Sequence, residues 1–268
     1  METIYLPFLI IFFLSIGSFS SVIIYRLNLI AFTNARVNLF FPRSYCPSCK
    51  KNISIIYLIP LVGFLLQKGK CIHCNSSISF LYPLHELIHL LVGVSIYLIF
   101  NISIFSILIY ALFSIFYILF ICDLQKLYLP FYLNLSISII GLLSAYYGNI
   151  FYIDNFYVND ISQFTLSLSG FITGYLILWL INTIYKSLKK VDGIGGGDFI
   201  LLAGIGSLVG PFAIAPIIFF GSLSTIFLVL VTRFKLTKTL PLGSGLIIGL
   251  FIYLFLKFYE LSLFGLVI

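Results

Sequence analysis

Apolar residues run in blocks too long for the elements of a soluble domain. Continuous hydrophobic segments fall at about 5–25, 81–100, 103–122, 128–147, 164–185, 199–214, 212–232 and 242–262. A helix needs about 20 such residues to cross a bilayer, so the pattern predicts about eight transmembrane helices. The sixth is the weakest, being short, glycine-rich and interrupted at Gly210-Pro211. The runs lack the apolar/polar alternation of outer-membrane strands. The first run has no basic region before it and no small-residue cleavage site, and Arg26 follows it. It is read as a retained helix, not a signal peptide. The expected fold class is all-α, a polytopic membrane protein.

Composition narrows the choice further. Apolar residues make up 61% of the 268 residues and charged residues 9%, against about 25% charged in a typical soluble domain. A soluble enzyme, a disordered tail and a disulfide scaffold are excluded. The net charge of +7 does not imply a nucleic-acid partner, because the bases sit in short clusters between apolar runs, as in cytoplasmic loops. The loop from Arg26 to Phe80 carries seven Lys/Arg and no acid, which places it in the cytoplasm. Counting spans from there puts Lys126, the Lys186/Lys189/Lys190 cluster and the Arg233/Lys235/Lys238 cluster inside. It puts Asn101, Asp154, Asp160 and Gly210-Pro211 outside. Lys257, near the last outer end, is neutral to slightly adverse.

Acids at the edge of a membrane helix are costly and mark function by default. Asp123 ends the third span, and Asp198 begins the sixth after Gly193-Ile194-Gly195-Gly196-Gly197. The topology sets both at the cytoplasmic surface. Two carboxylates that approach closely share a proton. One then serves as base toward a water while the other polarises a scissile carbonyl. Gly193, Gly195 and Gly197 would let an extended substrate approach the backbone. The bland alternative pairs Asp123 with Lys126 and makes Asp198 a helix cap.

Two other motifs carry chemistry. Cys46-Pro-Ser-Cys49 and Cys71-Ile-His-Cys74 are CxxC pairs separated by 21 residues, a spacing suited to one tetrahedral zinc. A cytoplasmic loop disfavours disulfides; free thiols or a redox pair are the alternatives. Cys122 lies in a helix and reads as a small apolar residue. His85-Glu86-Leu87-Ile88-His89 is a literal HExxH, the pattern of zinc metalloproteases, for which Asp192 could supply a further ligand. Polar residues at a helix start are the alternative there.

Beyond these readings, the chain resembles the type IV prepilin peptidase family, the prepilin leader peptidase/N-methyltransferases. Gly17-Ser18-Phe19 with Tyr25-Arg26 resembles its GSFxNVxxYR stretch, with Ser21 in place of asparagine. Cys46-Pro47, Cys49, Ile59-Pro60, Gly69-Lys70-Cys71, Cys74, Ile78-Ser79 and Tyr82-Pro83-Leu84 with Glu86 follow the N-terminal domain in order. Cys122-Asp123 through Leu129-Pro130 is similar to the first aspartate motif. Gly195-Gly196-Gly197-Asp198 lies in a stretch similar to the GxGD motif of intramembrane aspartyl proteases. Leu240-Pro241-Leu242-Gly243 resembles a C-terminal IPFGP stretch, with Ser244 in place of proline. Phe131 stands where a second aspartate is frequent, Ile200 where lysine is common, and Tyr57-Leu58 where Asp-Asn usually precedes Ile-Pro.

The resemblance implies an N-terminal prepilin peptidase domain at 1–100, with the first helices and the four-cysteine cytoplasmic loop, and a transmembrane aspartyl peptidase domain at 101–268. It implies a multi-pass enzyme of the bacterial cytoplasmic (inner) membrane, serving type IV pilus or type II secretion systems. Asp123 and Asp198 would cut leader peptides from prepilin or pseudopilin precursors at the cytoplasmic face. The new N-terminus would be methylated from S-adenosylmethionine, with Glu86 a candidate methyltransferase-domain residue. Structural Zn2+ would sit on Cys46, Cys49, Cys71 and Cys74. Two other functions compete: an intramembrane zinc metalloprotease built on His85, Glu86 and His89, and a zinc-binding transporter or scaffold.

Overall fold

The computed structural model describes residues 5–33, 38–147, 162–232 and 240–258. Most of the expected outer loop with Asp154 and Asp160, and the Arg233/Lys235/Lys238 cluster, lie outside the described residues. Nine α-helices occur among those described: α1 (Leu6–Phe32), α2 (Val62–Leu66), α3 (Leu81–Phe100), α4 (Ile104–Lys126), α5 (Phe131–Tyr146), α6 (Gln163–Lys189), α7 (Gly196–Val209), α8 (Ile214–Thr232) and α9 (Leu242–Phe258). All but the single-turn α2 match the apolar runs. Five of them, α1, α3, α4, α6 and α8, are long and apolar enough to cross a membrane, whereas α5, α7 and α9 are shorter apolar helices. The chain is a multi-pass membrane protein.

One boundary differs from expectation. Arg26 was expected to open the loop, but α1 continues to Phe32 and Arg26 is buried at 7% exposure. Its guanidinium donates to the carbonyls of Asn38 and Pro42, so the charge is capped by backbone and the helix runs on.

The chain divides into two compact units, residues 1–114 and 115–268. In the first, α1 packs on α3 at small residues. A Cβ on Gly17 would lie 2.7 Å from the Glu86 Cα, and one on Gly93 would enter the Phe13 ring. In the second unit, α7 is buried on every side, which explains its lack of an amphipathic pattern. Its neighbours reach it through glycines. Gly170 and Gly174 of α6 meet the backbone carbonyls of Gly206 and Leu202, and Gly141 of α5 meets Ser207. Ser167 Oγ donates to the Ser207 carbonyl at 2.6 Å. Helices α8 and α9 meet in the same way at Gly221, Gly245 and Gly249. Lipid supplies no hydrophobic drive between helices, so close backbone approach and such hydrogen bonds hold them together.

Candidate functional site

Asp123 lies near the C-terminal end of α4, 4% exposed, and Asp198 lies in the first turn of α7, 9% exposed. The seam between them is Gly243, in the first turn of α9. A Cβ placed there would sit 3.1 Å from Asp198 Oδ1 and 3.2 Å from Asp123 Oδ2. The sum of those two distances is the upper limit of the separation of the two oxygens. The carboxyls therefore face one small space, with the Leu129 side chain against it: its Cδ1 would be 2.8 Å from the same Cβ.

Each carboxyl also has partners of its own. Asp123 Oδ2 accepts the Ser244 backbone N–H at 2.6 Å and the Ser244 hydroxyl at 2.7 Å. Gly195 is the N-cap residue of α7 and its carbonyl accepts the Asp198 N–H at 3.0 Å, so Asp198 is the acid of the first turn, where the helix-terminus reading also puts it. The Gly195 amide in turn faces the Asp198 carboxyl.

The glycine loop has its own anchor. Asn182 of α6 accepts the N–H groups of Gly193 at 2.8 Å and Ile194 at 3.0 Å, and donates to Asp192 Oδ1 at 3.1 Å. Lys186 Nζ donates to Asp192 Oδ2 at 3.0 Å. The Lys186 bond, then the Asn182 bond, hold the Asp192 carboxyl below the usual carboxylate range. Asn134 of α5, fully buried, donates to the Gly197 carbonyl at 3.1 Å, while its Oδ1 has no hydrogen-bond partner. Gly197 also meets Leu129, whose Cβ would lie 2.9 Å from a Cβ at that position. Beside this loop opens a groove of about 620 Å³, lined by Leu129, Asn134, Tyr175, Trp179, Lys186 and Gly197 among others.

The four cysteines converge in the first unit, with all Sγ atoms within 4.8 Å of one another. The Cys46–Cys74 pair stands at 3.8 Å, and a tetrahedron of ~2.3 Å zinc–sulfur bonds has edges of ~3.8 Å. The two CxxC segments repeat one backbone pattern. Lys50 N–H bonds Cys46 O and Cys46 N–H bonds Lys51 O, and Asn75 with Cys71 and Cys71 with Ser76 do the same. Lys50 and Asn75 both take positive φ, 60° and 56°, which turns each chain around its cysteine pair. Donation from the Cys49 amide brings the Cys46 thiol down to about 6, and the Ser76 hydroxyl lowers that of Cys74. These residues could hold a metal ion.

The HExxH residues do not assemble a metal site. His89 Nδ1 donates to the His85 carbonyl at 3.0 Å, which leaves Nε2 to accept the Ser20 hydroxyl at 3.1 Å. Both ring nitrogens are committed. Glu86 Oε2 accepts the Leu61 N–H at 2.7 Å. Among the described residues, the cysteines form the one cluster of three or more ligating side chains, and Asp192 is engaged with Asn182 and Lys186. The metalloprotease expectation is not favoured, and neither is a transporter or scaffold.

Sequence reasoning passed over Asn182, Asn134 and the donor role of Ser244. A buried amide inside an apolar span was the available signal for the two asparagines. For Ser244 the signal was its place in a stretch where proline is expected.

Two family models cover the chain in succession: the bacterial peptidase A24 N-terminal domain over residues 11–100 and the type IV leader peptidase family over residues 110–231. The chain belongs to the type IV leader peptidase family. It is 31% identical over 269 residues to the prepilin leader peptidase/N-methyltransferase of Aeromonas salmonicida strain A449, covering 92% of this chain and 89% of that protein. Proteins of the same name from Vibrio cholerae (30% identical; 78% of this chain, 79% of the relative) and Neisseria gonorrhoeae (30%; 88% and 85%) are also similar to it. No solved structure matches.

Proposed function

We propose that this chain is a membrane aspartic endopeptidase. It cuts the leader from prepilin or pseudopilin precursors and methylates the amine so exposed, with S-adenosylmethionine as donor. The observation that carries the reading is the shared space at Gly243, where both carboxyls lie within reach of one atom position. Asp123, with two donors from Ser244 on one oxygen, fits the ionised partner, since charged acceptors gain most from such bonds. Asp198 then carries the shared proton. Asp123 takes a proton from water as its oxygen attacks the scissile carbonyl, and Asp198 gives its proton to the carbonyl oxygen. Collapse of the tetrahedral diol breaks the C–N bond: the leaving amine takes the proton held by Asp123, and the diol hydroxyl that re-forms the carbonyl returns its proton to Asp198.

In the second activity, the new amine would attack the methyl carbon of a sulfonium, with the thioether as leaving group. The N–C bond forms as the C–S bond breaks, the bonding pair stays on sulfur and the ammonium releases a proton. We assign cutting to the 101–268 domain and methyl transfer to the 1–100 domain. Zinc on Cys46, Cys49, Cys71 and Cys74 would brace the loop structurally. Both the loop and the aspartates are assigned to the cytoplasmic face, on the strength of seven bases and no acids between Arg26 and Phe80. The groove beside Gly197 is the natural path for an extended precursor.

Cleavage of a co-expressed pilin precursor tests the reading. Asp123→Asn and Asp198→Asn should each abolish cutting with the protein still in the membrane, since losing one member of a catalytic unit costs nearly as much as losing all. His89→Ala should retain most activity. An essential His89 with either aspartate dispensable would sink the proposal.

A further inference from the structure

The N-terminal unit contains a cavity of about 380 Å³ whose lining lies between Ser18 and Glu86. Sites for cofactor-sized molecules are commonly ~300–1,000 Å³. Three chemistries meet in its walls. The first is aromatic: Tyr25, Tyr45 and Tyr82 all line it, with the Tyr25 and Tyr45 side chains hydrogen-bonded and Tyr82 close by. The second is a carboxyl. Glu86 lies four residues after Tyr82 on α3, so the two share a helix face. The third is cationic: Arg26, one residue after Tyr25, uses two of its N–H groups on the Asn38 and Pro42 carbonyls out of the five that a guanidinium offers.

The cavity is also braced by an unusual backbone. Leu61 lines it with φ 60° and ψ −51°, a conformation that a leucine keeps only where the surroundings hold it. The hold here is the Glu86 carboxylate, which takes the Leu61 N–H. One acid thus fixes the wall of the cavity and presents carboxyl oxygens to it.

We infer that this cavity is the S-adenosylmethionine site of the methyl-transfer activity proposed above, and the inference rests on that reading. The donor carries a permanent sulfonium, a flat adenine and a free carboxylate. Tyrosine faces attract a desolvated cation and stack on a base, Glu86 complements the sulfonium, and Arg26 complements the carboxylate. When bound, the donor supplies an electrophilic methyl group. The chain's own part is to orient that group and to exclude water from it.

The test is equilibrium binding of radiolabelled S-adenosylmethionine to the full-length protein in lipid nanodiscs. It is followed by ultraviolet cross-linking and peptide mapping, and by methylation of a pre-cleaved pilin. Wild-type protein should bind saturably, and the label should map to a peptide within residues 18–86. Tyr82→Ala and Glu86→Gln should each weaken binding at least tenfold, while Tyr82→Phe, which keeps the ring, should bind as wild type does. Suppose wild-type protein methylates the pilin, but the label maps to residues 115–268 or both weakening variants bind normally. The donor site is then elsewhere, and the methyl-transfer reading stands. Wild-type protein that neither binds the donor nor methylates the pilin overturns the reading and the inference together.

Discussion

Ser244 donates twice to a single oxygen of Asp123, through its backbone N–H at 2.6 Å and its hydroxyl at 2.7 Å. The two residues are 121 positions apart, and Ser244 is fully buried. In the stretch that Leu240-Pro241-Leu242-Gly243 resembles, the next residue is proline, which has no N–H to give. This chain therefore holds its first aspartate with a donor pair that a proline cannot reproduce.

Removing one of those donors should be felt in the chemical step. A hydrogen bond to a charged group is worth about 1.5–3 kcal/mol, so Ser244→Ala should lower kcat for precursor cleavage by roughly 10- to 100-fold with KM little changed. Ser244→Pro should lower it further while leaving the protein in the membrane, because proline is tolerated in the first turn of a helix. Full activity in Ser244→Pro would show that Asp123 needs neither donor.

Gly243→Ala should be more damaging than its single methyl suggests. The added carbon would stand 2.8 Å from Leu129 Cδ1 and just over 3 Å from an oxygen of each aspartate. It would take the space that a water and the scissile carbonyl need. The expected outcome is loss of cleavage with normal membrane abundance, read by immunoblot of precursor and mature pilin.

Asn182→Leu should loosen the glycine loop. It deprives the Gly193 and Ile194 N–H groups of their acceptor, a loss of about 0.5–1.5 kcal/mol for each hydrogen bond. Hydrogen exchange at residues 192–195 should quicken. Cleavage should fall even though the variant alters neither aspartate.

The same loop should respond to acid. The carboxyl of Asp192 is held low by Lys186 and then by Asn182. A depressed acid stabilises the folded loop above its unfolded pKa, and that contribution is lost as pH falls through the folded value. Exchange protection at residues 192–195 should therefore hold at neutral pH and decline below the ordinary carboxylate range. In Lys186→Met the decline should begin at higher pH.

Purified protein should contain about one zinc per chain by elemental analysis, bound through four thiolates. Cys46→Ser or Cys74→Ser should lose the metal and destabilise the loop between α1 and α3. Wild-type protein without zinc would remove the site.

Much of this protein is legible in one dimension. The eight apolar runs each became a helix, and five of these have the length and composition that a bilayer demands, both of which can be read residue by residue. The cysteine cluster was legible because its ligands lie in two CxxC pairs close in sequence, each turned by a local backbone pattern at Lys50 and Asn75. Asp123 and Asp198 stood out because a bare apolar chain makes any acid conspicuous. Tertiary structure alone decided what surrounds them. Gly243 and Ser244 reach Asp123 only because α9 folds back beside the end of α4. Asn182 serves the glycine loop only because α6 turns at Lys190, in the left-handed conformation. The HExxH spacing is also that of a metal site, yet His89 spends its nitrogens on His85 and Ser20. A motif fixes the distance between residues along a helix; the neighbouring helix decides which of their atoms remain available.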